Sequence, residues 1–267
     1  MLINTKIQTK FSPVSAHDPS NIPYNSRSPI PTQVQISLNS SLHHLRTSSS
    51  PSPSQPGDPA DHTKDTTYLD SVLLHSALGN LPDTLSAWKT LESYVSGGQI
   101  KNLGISNTPL PILKALWENV DVKPAVVQNR FCREEGGGYD QEVRRFCREN
   151  GIVYQSFWTL SANPQLLNHT SVQRLAGLCS ISREVALYAL VLGLDGTCIL
   201  NGTKNHMVED VTGLEKVMYW VGEEENVYEW QDVLKHFKDA TGDNNPEEMP
   251  VESADGTKHV RTRERRM

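Results

Sequence analysis

Residues 97–107 read GGQIKNLGISN, and this stretch decides the fold when it is taken together with its neighbours. It joins a helix stop at Gly97 and Gly98 to an apolar strand, which ends in the polar pair Ser106 and Asn107. Three further segments have the form of an apolar strand with a polar end: 68–75 (YLDSVLLH), 124–128 (PAVVQ) and 151–158 (GIVYQSFW). Because helical patterns separate these strands, the spacing predicts repeated βα units and a parallel sheet with helices outside it.

The periodicity along the chain predicts six strands and the helices between them. The strands are predicted at 2–11, 68–74, 100–105, 125–131, 152–157 and 197–203. Helices are predicted at 32–46, 81–95, 110–120, around 143–146, twice between 170 and 194, from His206, and at 227–237. The second helix of the pair is expected to start near Ser182, and Val34, Leu38, Leu42 and Leu45 are expected to form the buried stripe of the first helix. The sequence therefore predicts an α/β protein.

Composition predicts one ordered domain over residues 1–241, with polar additions. The segments 48–66 and 242–267 are rich in polar residues, so we predict a disordered insertion and a disordered tail. A chain of 267 residues with 37% hydrophobic content is long enough to bury a sizeable core. The net charge of −6 argues against a nucleic-acid partner, and no apolar run is long enough to span a membrane. These features predict no nucleic-acid or membrane partner. The four cysteines lack CxxC spacing and no early apolar run suggests secretion, so we predict a cytoplasmic protein.

Polar residues follow the ends of three of the predicted strands. His75 ends the strand 68–74, Ser106 and Asn107 end the next strand, and Gln128 lies within the third. In βα barrels the active site is built at the carboxyl ends of the strands. These side chains are therefore the candidate functional residues.

The motifs in this order resemble those of the aldo-keto reductase family, in its fungal type, over roughly residues 10–210. The matching segments are QTKF (8–11), YLDSVLLH (68–75), W..LE (88–92), GGQIKNLGISN (97–107), KPAVVQNRF (123–131) and GIVYQSFW (151–158). The resemblance implies a (β/α)8 TIM-barrel fold, here incomplete with about six parallel strands. It also implies reduction of an aldehyde or ketone by hydride transfer from NADPH, with a small carbonyl compound as the substrate.

The resemblance also assigns roles to residues of this chain. Lys10 and His75 match the family's catalytic lysine and histidine. Residues that match the cofactor-binding positions are Ser106, Asn107, Gln128, Phe157, Trp158, Gly202, Thr203 and Lys204. The first three hold the nicotinamide carboxamide in the family, one of the two aromatic residues stacks on the nicotinamide ring, and the last three lie at the phosphate end. No metal ligand is implied.

Two departures from the family pattern affect the expected activity. The family's proton-donating tyrosine and its aspartate precede the strand of Lys10, and residues 1–9 contain neither type. We therefore expect a chain without the first two βα units and with little or no turnover in isolation, and the alternative function is a nucleotide- or partner-binding protein. Gly202 also stands where relatives place a lysine, so NADPH is not distinguished from NADH. The strands at 2–11 and 197–203 would be open edges, which favour self-association.

Three of the candidate positions also have a purely structural interpretation. His75 can be a histidine satisfied within the core. Ser106 and Asn107 can cap the helix that follows them. Gln128 can be a buried amide that satisfies backbone groups.

The lysine and the aromatic candidates also have a purely structural interpretation. Lys6 repeats the Thr-Lys pair of Lys10, and a lysine on an exposed strand commonly protects a sheet edge. Phe157 and Trp158 can be core aromatics instead of a surface on which a cofactor stacks.

Overall fold

The computed structural model describes residues 6–18, 20–45, 68–133, 138–202 and 205–243, together with the backbone at 251–252 and 258–259. A six-stranded parallel sheet forms the centre of the described structure. Its strands are β1 (Gln8–Phe11), β2 (Leu69–Leu74), β3 (Ile100–Ser106), β4 (Val126–Arg130), β5 (Val153–Phe157) and β6 (Thr197–Ile199). Their spatial order is the order of the chain, from β1 to β6. The prediction of an α/β fold with six parallel strands is therefore confirmed.

Nine α-helices lie in the described part of the chain. They are α1 (Ile30–His44), α2 (Leu81–Ser96), α3 (Leu110–Asn119), α4 (Gln141–Glu149), α5 (Pro164–Leu167), α6 (Thr170–Cys179), α7 (Arg183–Leu192), α8 (Met207–Gly222) and α9 (Val227–Thr241). Ser182 caps α7, since its hydroxyl accepts a hydrogen bond from the backbone N–H of Val185 at 3.2 Å. The predicted helices are all present. The four-residue helix α5 is too short for its periodicity to be seen in the sequence.

Within the described residues, both outer strands cover less than predicted, since Lys6 and Ile7 precede β1 and residues 200–202 follow β6. Residues 2–5 and Thr203 of the predicted strands lie outside the described residues. A carboxylate oxygen of Asp70 takes the backbone N–H of Ile7 at 2.9 Å, so regular pairing with β2 begins only at Gln8. At the other edge, β6 ends at Ile199, and the side-chain oxygen of Asn201 accepts the N–H of Gly202 at 2.7 Å. At both edges a side chain therefore takes a backbone N–H that a longer strand would use in the sheet.

The buried face of α1 is also narrower than predicted. Val34, Leu38 and Leu42 are buried as expected. Leu45 follows the last helical residue and is 38% exposed, so its assignment to the buried stripe is wrong. The helical period cannot reveal this error because the position fits the stripe even after the helix has ended.

The sheet is curled, so that strands far apart in its order approach each other on its inner side. The side-chain amide of Gln8 in β1 donates a hydrogen bond to Oε1 of Gln155 in β5 at 2.9 Å, although three strands separate the two. Helices cover the outer side, and α7 is buried almost all round, from Val185 to Val191. Curling of this kind directs alternate side chains of each strand into a shared interior, as in a barrel.

Within the described residues, β1 pairs only with β2, and β6 pairs only with β5. The self-association expected from open edges stays a prediction. The insertion at 48–66 lies outside the described residues, as does most of 242–267, where the strands β7 (Val251–Glu252) and β8 (Lys258–His259) form an antiparallel pair. No single described helix is long and apolar enough to cross a membrane. Among the described residues, only α6 and α7 taken together have that length and apolar character, and the two helices are bent by 107° relative to each other.

Candidate active site

A cleft of about 900 Å³ opens at the carboxyl end of the curled sheet. Seven of the residues predicted for the site line it: Lys10, His75, Asn107, Gln128, Phe157, Trp158 and Gly202. They come from the ends of all six strands or from the turns directly after them. Parallel strands bring their carboxyl ends to one edge of the sheet, so residues as far apart as Lys10 and Gly202 meet.

His75 stands directly after β2 and is held by its backbone. Its N–H donates to the carbonyl of Phe11 at 2.8 Å, and its own carbonyl accepts from Nδ2 of Asn107 at 2.9 Å. The ring atom Nδ1 is buried and has no hydrogen-bond partner in the described structure. A charged imidazolium would bury an N–H there without an acceptor, so the neutral ring with its proton on Nε2 is favoured.

Lys10 and His75 share an electrostatic environment. Burial lowers the pKa of Lys10 from its ordinary value. Burial also lowers the pKa of His75, and the positive charges of Lys10 and His17 lower it further. Lys6 is exposed and does not line the cleft, so of the two Thr-Lys pairs only that of Lys10 contributes to it.

Ser106 and Asn107 hold neighbouring strands together and do not cap α3. The hydroxyl of Ser106 donates to the backbone carbonyl of Gln128 at 2.7 Å, and the N–H of Asn107 donates to the same carbonyl at 3.1 Å. The residue before α3 is Pro109, which makes no side-chain cap. Asn107 also has a φ of 49°, a left-handed conformation that asparagine adopts more readily than most residues. The helix-cap interpretation is therefore wrong for this pair.

Phe157, the last residue of β5, and Trp158, which follows it, form one wall of the cleft. Trp158 is 53% exposed, so the interpretation of this residue as a core aromatic is wrong. The Phe157 and Trp158 rings meet edge to face with centroids 6.0 Å apart. The guanidinium carbon of Arg130 lies 4.6 Å from the Trp158 ring centroid, a cation–π contact. Sequence reasoning missed Arg130, although its position two residues after Gln128 on β4 places both on the same face of the strand.

The far end of the cleft continues into a second cavity of about 790 Å³. Tyr188 and Asn201 line both, and the Tyr188 hydroxyl donates to the Asn201 side-chain oxygen at 2.8 Å. Burial, together with the carboxylates of Asp210 and Glu184, raises the pKa of Tyr188 to about 12. Thr203 and Lys204, which were predicted for this end, lie outside the described residues.

The charge of the lining differs between the two cavities. Among the described residues that line the cleft, Lys10 and Arg130 are cationic and none is an Asp or Glu. The second cavity is lined by Glu184, Glu209 and Asp210, with Lys216 as its lysine. The cleft is therefore the more favourable of the two cavities for an anionic ligand. Within the described residues, no group of three or more His, Cys, Asp or Glu side chains could hold a metal ion.

Comparison with known proteins relates part of this sequence to a family and its fold to solved structures. Residues 62–169 match the family model described as the aldo/keto reductase family. The aldo-keto reductase MGS-M4 from a deep-sea metagenome shares the fold with a TM-score of 0.60, at 16% identity, over 90% of this chain and 72% of that one. The NADPH complex of an aldo-keto reductase from the silkworm Bombyx mori has a TM-score of 0.56, at 17% identity, over 91% and 66% of the chains.

The fold is that of a (β/α)8 barrel, of which the described residues supply six parallel strands. The match to the aldo/keto reductase family covers residues 62–169 of the 267 in this chain. The chain is 27% identical over 146 residues to the uncharacterized oxidoreductase YtbE of Bacillus subtilis. The aligned residues cover 54% of this chain and 49% of that protein. It is 32% identical over 97 residues to the glycerol 2-dehydrogenase (NADP(+)) of Hypocrea jecorina. The aligned residues cover 35% of this chain and 28% of that protein. The chain thus spans about half or less of the length of these relatives.

Proposed function

We propose that the cleft binds a nicotinamide dinucleotide and that the protein reduces an aldehyde or ketone to an alcohol. The observation that carries this proposal is the convergence of seven separately predicted residues on one cleft without acidic residues in its described lining. The residues come from six strands, so their meeting depends on the whole sheet. The family match and the oxidoreductase relatives support the same reaction class.

The chain's own residues would bind and polarise the carbonyl compound. The dinucleotide, when bound, supplies the hydride. His75, with its proton on Nε2, can donate a hydrogen bond to the carbonyl oxygen, on which negative charge develops. The ammonium of Lys10 lies close enough to affect the pKa of His75 and would stabilise that charge in a partly dry site.

The dinucleotide would be held by amides at one end and by backbone at the other. Asn107 and Gln128 present amide groups that match a carboxamide, and Trp158 offers an exposed ring face for stacking. Gly202 has open space where a β-carbon would lie, so a phosphate group can approach its backbone. The acidic second cavity leads us to expect that NADH binds as well as NADPH, although NADP(H) is the coenzyme that the resemblance implies.

The proton donor limits the expected turnover of this chain. Tyr188 is the one tyrosine among the described residues that line the cleft, and its hydroxyl is engaged by Asn201. Its raised pKa of about 12 makes it a poor acid near neutral pH. This favours the second candidate function, a protein that binds the dinucleotide and turns over slowly or not at all.

A binding and turnover assay tests the proposal. We expect NADPH and NADH to quench the fluorescence of Trp158, and Trp158→Phe to remove most of that signal while the other tryptophans remain. Without a tuned proton donor, reduction of 4-nitrobenzaldehyde should be about 10²–10⁴-fold slower than by the glyoxal reductase of Bacillus subtilis assayed alongside. Binding of neither coenzyme would overturn the proposed function. A rate equal to that of the relative, and lost in His75→Ala, would instead overturn the expectation of slow turnover.

The protonation of His75 gives a pH prediction. Its pKa is lowered in the folded chain, so its NMR titration midpoint is expected below the unperturbed value of about 6.5. Lys10→Met should raise that midpoint, because it removes a nearby positive charge. His206 is the matched control, since its contact with Glu209 raises its pKa. The neutral ring of His75 therefore stabilises the folded chain above about pH 6.5, and this stabilisation is lost as the pH falls through the pKa of His75 in the folded chain.

A midpoint for His75 at or above that of His206 would contradict this prediction. The two resonances can be assigned with His75→Asn and His206→Asn, each of which should remove one titrating signal. The comparison needs no cofactor, so it reports on the electrostatics of the cleft alone.

A further inference from the structure

Three glutamines from three strands form a connected set of hydrogen bonds behind the cleft. The amide Nε2 of Gln128 in β4 donates to Oε1 of Gln155 in β5 at 2.8 Å. Gln8 in β1 donates from Nε2 to the same Oε1 at 2.9 Å, and Gln155 returns a bond from Nε2 to Oε1 of Gln8 at 3.2 Å. Of the three, only Gln128 lines the cleft.

In the observed arrangement, the bonds among the three amides leave one atom of Gln128 available to a ligand. Nε2 of Gln155 is used by Gln8, so Oε1 of Gln155 is the atom that faces Gln128. An oxygen there can only accept, so Gln128 must turn its Nε2 toward Gln155. Among the described residues, Oε1 of Gln128 receives no hydrogen bond, and it remains the atom available to the cleft.

We infer that Gln155 is a positioning residue that makes Gln128 present a hydrogen-bond acceptor to the amide N–H₂ of the nicotinamide carboxamide. This inference rests on the proposed function, because it assumes that the dinucleotide occupies the cleft. Gln155 does not touch the ligand and acts only through Gln128. Gln8 contributes by holding the amide of Gln155 in the required orientation.

The arrangement has one alternative that the chemistry allows. If all three amides reversed together, every bond would persist and Gln128 would present Nε2 to the cleft instead. A glutamate at position 155 distinguishes the two arrangements, because a carboxylate accepts hydrogen bonds and cannot donate them. Gln155→Glu therefore keeps the bond from Gln128 that defines the first arrangement, gives up the bond to Oε1 of Gln8, and forbids the second arrangement.

The test compares two nucleotides that differ only in the nicotinamide. The probes are NADP⁺ and 2′-phosphoadenosine-5′-diphosphoribose, which lacks that ring, and the measurement is calorimetric affinity for the full chain. Gln155→Met keeps the length of the side chain and removes the amide, so NADP⁺ should bind about five- to tenfold more weakly. The affinity for 2′-phosphoadenosine-5′-diphosphoribose should remain within about twofold, since it makes no contact at Gln128.

Two further variants complete the design. Gln155→Glu should keep NADP⁺ affinity within about threefold of the parent chain. Gln99→Met alters an exposed glutamine before β3, at the opposite end of the sheet, and should change neither affinity. A melting curve of each variant, and the retained binding of the shorter nucleotide, show that the site is folded.

The possible failures are distinguishable. If the parent chain binds neither nucleotide, the proposed cofactor site is wrong and this inference falls with it. If Gln155→Met weakens both nucleotides equally or weakens neither, the proposed function stands and the positioning role of Gln155 is wrong. Loss of NADP⁺ affinity in Gln155→Glu equal to that in Gln155→Met would show that Gln128 does not act as an acceptor.

Discussion

Replacing Asp243 by alanine is expected to lower the free energy of unfolding by about 3–5 kcal/mol. Asp243 follows α9 and accepts two hydrogen bonds from the guanidinium of Arg144 in α4, at 2.7 and 3.0 Å. The side chains are 1% and 5% exposed for Arg144 and Asp243. Without the carboxylate, a buried guanidinium would be left without its counter-charge. Urea denaturation measures this loss as a lower transition midpoint, with the dependence of the free energy of unfolding on urea concentration unchanged.

An exposed ion pair provides the matched control. Arg174 binds Asp232 at 2.6 Å, but its side chain is 42% exposed and that of Asp232 is 31% exposed. Asp232→Ala should therefore cost no more than about 1 kcal/mol. Equal losses in the two variants would show that burial of the Arg144 pair is not what stabilises the end of α9.

Gly104→Ala is expected to destabilise the protein by about 3 kcal/mol and to weaken coenzyme binding as well. Gly104 lies in the middle of β3, paired with Leu73 in β2 and Val126 in β4. A β-carbon there would lie 2.5 Å from the carbonyl oxygen of Val126 and 2.9 Å from Cγ of Leu73. Because a backbone atom blocks the space, β3 must move, and Asn107 three residues later moves with it. Denaturation and NADPH titration measure the two effects.

The control is a glycine where a methyl group is tolerated. Gly177 lies in α6, and no atom lies within 4 Å of the place for its β-carbon. Gly177→Ala should stabilise the helix by about 0.5–1 kcal/mol and leave coenzyme affinity unchanged. If Gly104→Ala were as harmless as Gly177→Ala, the close packing of β3 against its neighbours would not be what positions Asn107.

The local pattern of the chain was sufficient to predict most of the fold and much of the site. Alternating strands and helices predicted the six-stranded parallel sheet, which is confirmed. The polar residues at strand ends predicted that His75, Asn107 and Gln128 would lie together, and they line one cleft. Their assigned roles stay predictions, as do the cytoplasmic location and the lack of a nucleic-acid partner.

Other features could not be predicted because they depend on contacts between distant residues. The contact of Arg130 with Trp158 joins two strand ends. The bond between Gln8 and Gln155 spans 147 positions of sequence and exists only because the sheet curls. β1 and β6 also cover less of the described chain than predicted, and the side chains of Asp70 and Asn201 take backbone N–H groups there that the strand pattern assigns to the sheet.

The sequence by itself determined the succession of strands and helices, the start of α7 at Ser182 and which polar residues stand at strand ends. These properties follow from periods of two and 3.6 residues and from the conformational preferences of single side chains. Only the tertiary structure decided that the amides of Gln8, Gln128 and Gln155 would meet, and that Arg144 would be buried against Asp243. Hydrogen bonds and ion pairs of this kind require curvature and packing, which no local pattern encodes.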